Sequence, residues 1–309
     1  MAMKKLTKTT ASAGPMPTLM PGHSIAIPAQ EAANPAWSDA GILEAIPPHV
    51  CALIGDSGTG KSTLAAKFPK TSERPQLVFA FDPPGKMYPY KEGYDVVPIE
   101  DEYYASVGMK AESVLDADGR EVRRIEYFVD PNPDLPRAAA NVEQRLVGFD
   151  ATAHEWSSVV FDSMTFYQYA ALRRARYQFP MPPGKEQGQN LAWYSQVKQD
   201  VERVVKSQAV WWPTNVIFIF HTNEEKAEFA SETLRGLLAV GKLPAELPPG
   251  FSEMYRLYVQ RVGDNHVHRV QTKHDGLWMA TSIIAHAPSP CEADFRALWA
   301  NFLATRTPK

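Results

Sequence analysis

The chain has 309 residues, 44% of them hydrophobic, and a formal charge of −3, which is enough for one large α/β domain or two small ones with a sizeable core. A charge so close to zero sets up no global field toward nucleic acid or an anionic membrane, so any such surface has to be local. Two cysteines, Cys51 and Cys291, form neither a disulfide framework nor a CxxC pair, and no apolar run approaches a bilayer span or follows the lysine-bearing start as a signal would; a soluble, unexported protein of a reducing cytosol is expected, with no membrane partner.

Residues 1–45 are rich in Pro, Ala, Thr and Ser without a sustained period, which predicts a flexible arm outside the core with one short helical turn near Trp37 to Leu43. His49 to Ile54 is a short apolar run that reads as a buried strand, and Lys61 to Phe68 holds good helix formers until Pro69 stops it. Between them Gly55-Asp56-Ser57-Gly58-Thr59-Gly60-Lys61-Ser62 fits the phosphate-binding pattern G-x-x-x-x-G-K-[ST] at every position. Strand, glycine loop and helix are the context this motif needs, and they argue against an accidental glycine-rich turn. The glycines let the backbone aim N–H groups at phosphate oxygens, Lys61 reaches the β- and γ-phosphates, and Ser62 holds Mg²⁺. ATP with Mg²⁺ is therefore expected along the run from Gly55 through Thr63.

Gln76 to Asp82 is a second buried strand, stopped by Pro83-Pro84-Gly85. Ala111 to Asp130 alternates on either side of Asp116-Ala117-Asp118-Gly119, a β-hairpin signal. Residues 86–135 hold 12 Asp/Glu against 6 Lys/Arg, a local net of −6, read as a solvated insertion with partner binding as the alternative. A helix over 137–151 leads into Ser157 to Asp162, a third strand with an acid at its carboxyl end, where ligands of open α/β sheets sit. Helices over 163–178 and 190–209 flank a Pro/Gly-rich loop, and Asn215 to His221 is the fourth core strand. Met254 to Arg261, His266 to Lys273 and Leu277 to Ile284 read as an antiparallel meander, with His266 and His268 facing solvent, before a closing helix over 292–304.

Asp162 ends its strand as a Walker B acid should, orienting Mg²⁺ or its water ligands; capping the next helix with Ser163 is compatible with that role. No glutamate follows Asp162, so the group that activates water has to come from elsewhere. Asp82 is the leading candidate against a turn role, with Glu100, Asp101 and Glu102 in reserve. His221-Thr222-Asn223 ends the fourth strand, where a γ-phosphate sensor or a simple turn would sit.

Leu53 through Leu64 with Phe68-Pro69, Phe161-Asp162-Ser163-Met164-Thr165, Ile219-Phe220-His221, and Gly241-Lys242-Leu243-Pro244 ahead of Phe251 and Tyr255-Arg256-Leu257 together resemble the phage-encoded NTP-binding proteins with a RecA-like core. Some of that group act as ATP-dependent single-strand annealing proteins in recombination. The resemblance covers about residues 48–285. It implies an α/β fold: a RecA-like P-loop NTPase core over 46–285, its mostly parallel sheet flanked by helices, with a β-hairpin insertion at 86–135, a C-terminal antiparallel meander and a C-terminal helix in 286–309. It gives Lys61, Ser62 and Asp162 the nucleotide and metal roles and His221 the sensor position. Lys273 resembles the basic residues that such proteins insert into a neighbour's ATP site. The loops 179–189 and 222–250 match the DNA-facing loops, and single-stranded DNA, a homo-oligomeric ring or filament, a single-strand binding or other replication protein, and the host cytoplasm follow as expected partners and place. The glutamate that RecA-like ATPases carry two residues after the acid of the second strand is Pro84 here, which predicts slow hydrolysis.

From Ala170 to Val210 there are 7 Lys/Arg against 3 Asp/Glu, with Tyr177, Phe179 and Trp193 interleaved. This is either a stacking surface for single-stranded DNA or a solvated amphipathic helix. Three functions stay open on the sequence: an ATPase acting on single-stranded DNA, a nucleotide-dependent assembly module with little hydrolysis, and a P-loop small-molecule kinase.

Overall fold

The computed structural model describes residues 37–130, 132, 134–180, 191–224, 235–283 and 287–306, all within the compact unit Ala32–Lys309. In chain order come α1 (Asp39–Ala45), β1 (Val50–Ile54), α2 (Lys61–Ala66), β2 (Gln76–Ala80), α3 (Tyr88–Lys91), β3 (Asp95–Pro98), α4 (Glu102–Ser106), β4 (Lys110–Leu115), β5 (Glu121–Tyr127), α5 (Ala138–Leu146), β6 (Ser158–Asp162) and α6 (Met164–Gln178). Then follow α7 (Leu191–Glu202), β7 (Asn215–Phe220), β8 (Thr222–Glu224), β9 (Arg235–Leu237), α8 (Leu243–Glu246), β10 (Glu253–Val262), β11 (Asn265–Gln271), β12 (Thr281–Ser282), β13 (Cys291–Glu292), α9 (Phe295–Leu298) and α10 (Ala300–Ala304).

All residues of β1, β2, β6 and β7 are buried, as strands covered by helices on both faces must be, and this is why they read as unbroken apolar runs. Among the described residues they belong to a sheet in the order β13-β11-β10-β1-β7-β6-β2-β5-β4-β3. The six central strands, β10 through β5 in that order, are mutually parallel; antiparallel pairs extend both edges. The P-loop strand β1 and the acid-bearing β6 are not adjacent, because β7 runs between them. This is the RecA-like P-loop arrangement, with the expected hairpin; of the expected C-terminal meander β10 and β11 pair antiparallel, while the third strand among the described residues is only β12, which pairs with β10 and not β11.

Alternate residues of each strand face opposite layers. Ala52, Phe79, Phe161 and Phe218 pack toward α5, α6 and α7, while Leu53, Val78, Val160 and Ile217 pack toward α1, α2, α3, α9 and α10. Two expectations change here. The stretch from Trp37 onward is not part of an outlying arm: Trp37, Ile42 and Leu43 are buried in the second layer, because α1, capped by the Ser38 hydroxyl on the Gly41 N–H at 3.1 Å, has an apolar face to cover. The acidic hairpin is not a solvated appendage either. β5 pairs parallel with β2, and Val114 and Ile125 are fully buried. Its apolar positions decide its place, and one of its acids, Glu126, is itself buried on β5. The strand β10 also does double duty: it begins the meander and pairs parallel with β1.

Candidate nucleotide site

The glycines of the P-loop are there for different reasons. A Cβ on Gly55 would lie 2.5 Å from the Leu257 carbonyl oxygen and 2.6 Å from Thr59 Oγ1, so this position has no room for a side chain. Gly58 and Gly60 have φ of +80° and +89°, the left-handed region that an L side chain avoids. The loop is held by its own polar groups: Thr59 Oγ1 donates to the Asp56 carbonyl at 2.9 Å. Lys61 Nζ donates to the carbonyls of Gly55 at 2.8 Å and Asp56 at 2.7 Å. Burial brings its ammonium down to about 8, against the pull of Asp162, Asp56 and Asp82.

The acids arrive from the neighbouring strands. Ala80 of β2 pairs with Asp162 of β6, and the Phe81 N–H donates to the Asp162 carbonyl at 2.7 Å, so Asp82 and Asp162 end adjacent strands side by side. Both are buried. Burial pushes the Asp162 carboxyl up to about 6, although hydroxyls of Ser62 and Tyr90 bond to it and lower it; Tyr90 donates to Oδ2 at 2.9 Å. Asp82 takes Lys86 Nζ on Oδ1 at 3.0 Å and the Ser163 hydroxyl on Oδ2 at 3.4 Å. Pro84, in the place of the missing glutamate, opens a single 3₁₀ turn that carries Lys86.

These groups line one cleft of about 480 Å³, bounded by Ser57, Gly58, Gly60, Lys61, Ser62 and Thr63 on the loop, Asp82 and Asp162 at the strand ends, and His221, within the range of small-ligand sites. His221 is half-buried, its ring edge-on to Phe166; burial and then the Lys61 charge hold its pKa below the ordinary histidine value. Its neighbour Thr222 donates to the Asp56 carboxylate, tying the end of β7 to the P-loop. Lys273 is exposed after β11 and lies outside the cleft of its own chain.

The donor set fits Mg²⁺ with a nucleotide. Among the described residues no group of three or more His, Cys, Asp or Glu forms an all-protein metal cage. A hydroxyl and one carboxylate beside a phosphate loop is the sparse set that Mg²⁺ takes when phosphates and waters complete its shell.

Residues 48–282, more than half the chain, match the family model AAA_24, described as "AAA domain". The chain belongs to this AAA-domain family. No curated protein matches it. Solved structures similar to this AAA-domain chain include a KaiC-like protein from the hyperthermophilic archaeon Pyrococcus horikoshii OT3 (13% identity, TM-score 0.38, covering 73% of this chain and 78% of that one). Another is an ATPase from the type III secretion system of pathogenic bacteria (14%, TM-score 0.40, 69% and 52%). A third is the flagellar accessory protein FlaH from Methanocaldococcus jannaschii (9%, TM-score 0.33, 82% and 82%).

Three residues of the AAA-domain site escape a reading of the sequence. Tyr90 and Lys86 sit in a segment whose composition says only "acidic insertion". His268 is exposed, as expected, but it also borders the cleft, with Nδ1 3.1 Å from the Thr59 carbonyl oxygen. Because β10 and β11 run on past the end of β1, the alternating pattern that exposes one face of β11 turns this side chain onto the P-loop.

The proposed DNA face also changes. Trp193 is buried and donates Nε1–H to the Phe179 carbonyl at 2.8 Å. Arg174 and Arg203 both bind Glu143, and Lys198 binds Glu246. Much of the basic charge over 170–210 is thus paired. Tyr177 and Phe179 remain exposed. Residues 181–190 and 225–234, which cover most of the first loop expected to face DNA and about a third of the second, lie outside the described residues, as do residues 1–36. No helix among the described residues is long and apolar enough to cross a membrane.

Proposed function

We propose that this AAA-domain protein is a slow RecA-like ATPase that couples ATP binding to single-stranded DNA and assembles head to tail. The observation that carries the ATPase reading is the convergence of Lys61, Ser62, Asp82 and Asp162, from three separate stretches of chain, on one cleft. Lys61, now on the Gly55 and Asp56 carbonyls, would bind the β- and γ-phosphate oxygens of a nucleotide, and Ser62 and Asp162 would hold Mg²⁺. The metal, when bound, neutralises charge on the phosphate oxygens. Asp82 orients the attacking water; the Lys86 ammonium already occupies its Oδ1 at 3.0 Å and proline stands at 84 in place of a glutamate, hence slow turnover. His221 and Thr222 sense the γ-phosphate at the mouth of the loop that follows β7.

The DNA part of the reading is supported by Tyr177 and Phe179, exposed beside Arg176 at the end of α6, a pairing of aromatic faces and positive charge that suits unstacked bases. Lys273, exposed away from its own cleft, suits insertion into a neighbouring subunit's site. A phage origin and a role in strand annealing rest on the motif resemblance. A second reading, a nucleotide-dependent assembly module without hydrolysis, is favoured by the same Lys86–Asp82 pair.

ATP turnover measured with and without single-stranded DNA, on wild type and Lys61→Ala, separates these readings. The expected result is slow turnover stimulated by DNA and lowered on the order of 100-fold in Lys61→Ala. ATP-dependent DNA binding without turnover selects the assembly module, and indifference to DNA in both assays overturns both DNA readings.

A further inference from the structure

Tyr90 is fully buried on α3, in the segment that leaves β2 just beyond Asp82. Its hydroxyl donates to Asp162 Oδ2 at 2.9 Å, and the Ser62 hydroxyl lies within hydrogen-bonding reach of both groups. The two side chains suited to hold Mg²⁺ therefore share a third partner that no motif names. One proton donated to Oδ2 restricts the rotation of the Asp162 carboxylate and leaves Oδ1 free of that bond. Carboxylates that ligate metals are commonly held in this way by an outer hydrogen bond.

What holds Tyr90 is a second, costlier device. Arg123 on β5 is buried, and its guanidinium has no carboxylate partner among the described residues. It donates Nε to Gln76 Oε1 at 2.7 Å, one terminal nitrogen to the Ala66 carbonyl at 2.7 Å and the other to the Tyr90 carbonyl, and it lies over the rings of Tyr90 and Tyr94. A buried cation satisfied only by neutral acceptors is expensive, and a neutral side chain of similar volume would pack there more cheaply. Its three bonds join β2, the last residue of α2 and the backbone of Tyr90. The helix that begins with Lys61-Ser62 and the tyrosine that meets Asp162 are thus clamped to each other through a residue that touches neither phosphate loop nor acid.

We propose that Tyr90 is a positioning residue for the metal, setting the Asp162 carboxylate through its hydroxyl, and that Arg123 acts on the site only by placing Tyr90. The inference rests on the nucleotide reading above. It is tested by the equilibrium affinity of a fluorescent ATP analogue, measured in Mg²⁺ and in EDTA, for wild type, Tyr90→Phe, Arg123→Lys and the double variant. The ratio of the two affinities reports the metal alone. In Tyr90→Phe that ratio is expected to fall about 10-fold or more, with the EDTA affinity unchanged. Arg123→Lys should lower it in the same direction, and the double variant should match Tyr90→Phe alone. A ratio unchanged in Tyr90→Phe, or an equal loss with and without Mg²⁺, overturns the role of Tyr90. Additive effects in the double variant overturn the link to Arg123. Wild type that binds no analogue at all overturns the nucleotide reading, and this inference with it.

Discussion

His49 stands just before the P-loop strand with its imidazole inside the protein, Nδ1 at 3.1 Å from the Pro47 carbonyl oxygen and the ring edge-on to Trp299 at 5.5 Å. Burial holds its pKa below the ordinary value of 6.5, against the raising effects of the Pro47 carbonyl and Glu253. The folded value is depressed, so the stability it contributes is present above about pH 6.5 and is lost as pH falls, because the unfolded chain takes up a proton that the folded one resists. Below pH 6.5 this group is expected to tilt stability by up to about 1.4 kcal/mol per pH unit. Urea midpoints of wild type and His49→Phe between pH 7.5 and 5.5 check it: wild type should lose stability with the steeper slope, and parallel slopes would sink the assignment.

At the scale of elements, the hairpin is joined to the helical layer by one buried carboxylate. Glu126 on β5 has no exposed side-chain surface and accepts Arg145 Nε from α5 at 2.9 Å and the Tyr104 hydroxyl from α4 at 2.8 Å. Removing the cation leaves a charge stranded in the interior, which costs more than the pair contributes when whole. Arg145→Met is expected to destabilise by about 3–5 kcal/mol. Arg145→Met combined with Glu126→Leu should recover most of the loss, a comparison that guanidinium unfolding of the two variants makes directly.

The unit Ala32–Lys309 is, over its described residues, a sheet between two helical layers, and the second layer closes the back of the nucleotide site. Phe68, which ends the P-loop helix segment, meets Phe295 at 5.0 Å and Trp299 at 5.5 Å. Arg296 meanwhile binds the Trp37 carbonyl and the Asp39 carboxylate. Segments from the two ends of the described chain thus meet behind α2. Trp299→Ala, which empties the centre of this cluster, is expected to cost about 3–5 kcal/mol and to lower the thermal midpoint, with nucleotide affinity following because α2 rests on Phe68. Unchanged thermal unfolding would show that this layer is dispensable.

The P-loop, its flanking strand and helix, and Asp162 at the end of β6 are legible in the sequence because each is encoded within a dozen neighbouring residues: glycine for positive φ, a buried strand for a continuous apolar run, an acid where that run stops. The same locality gives the hairpin around Asp116 to Gly119. What the hairpin pairs with is not local, and neither are the contacts of Tyr90 with Asp162, Arg123 with Ala66, or His268 with Thr59, residues separated by 57 to 209 positions. Those follow from strand order and register, which bring distant side chains together by burying apolar faces and leave no trace in local composition. By itself the sequence determined that a phosphate-loop motif and an acid at the end of the β6 run are present; only the tertiary structure decided which side chains hold that acid, because the parallel register of β2, β5 and β6 sets their distances.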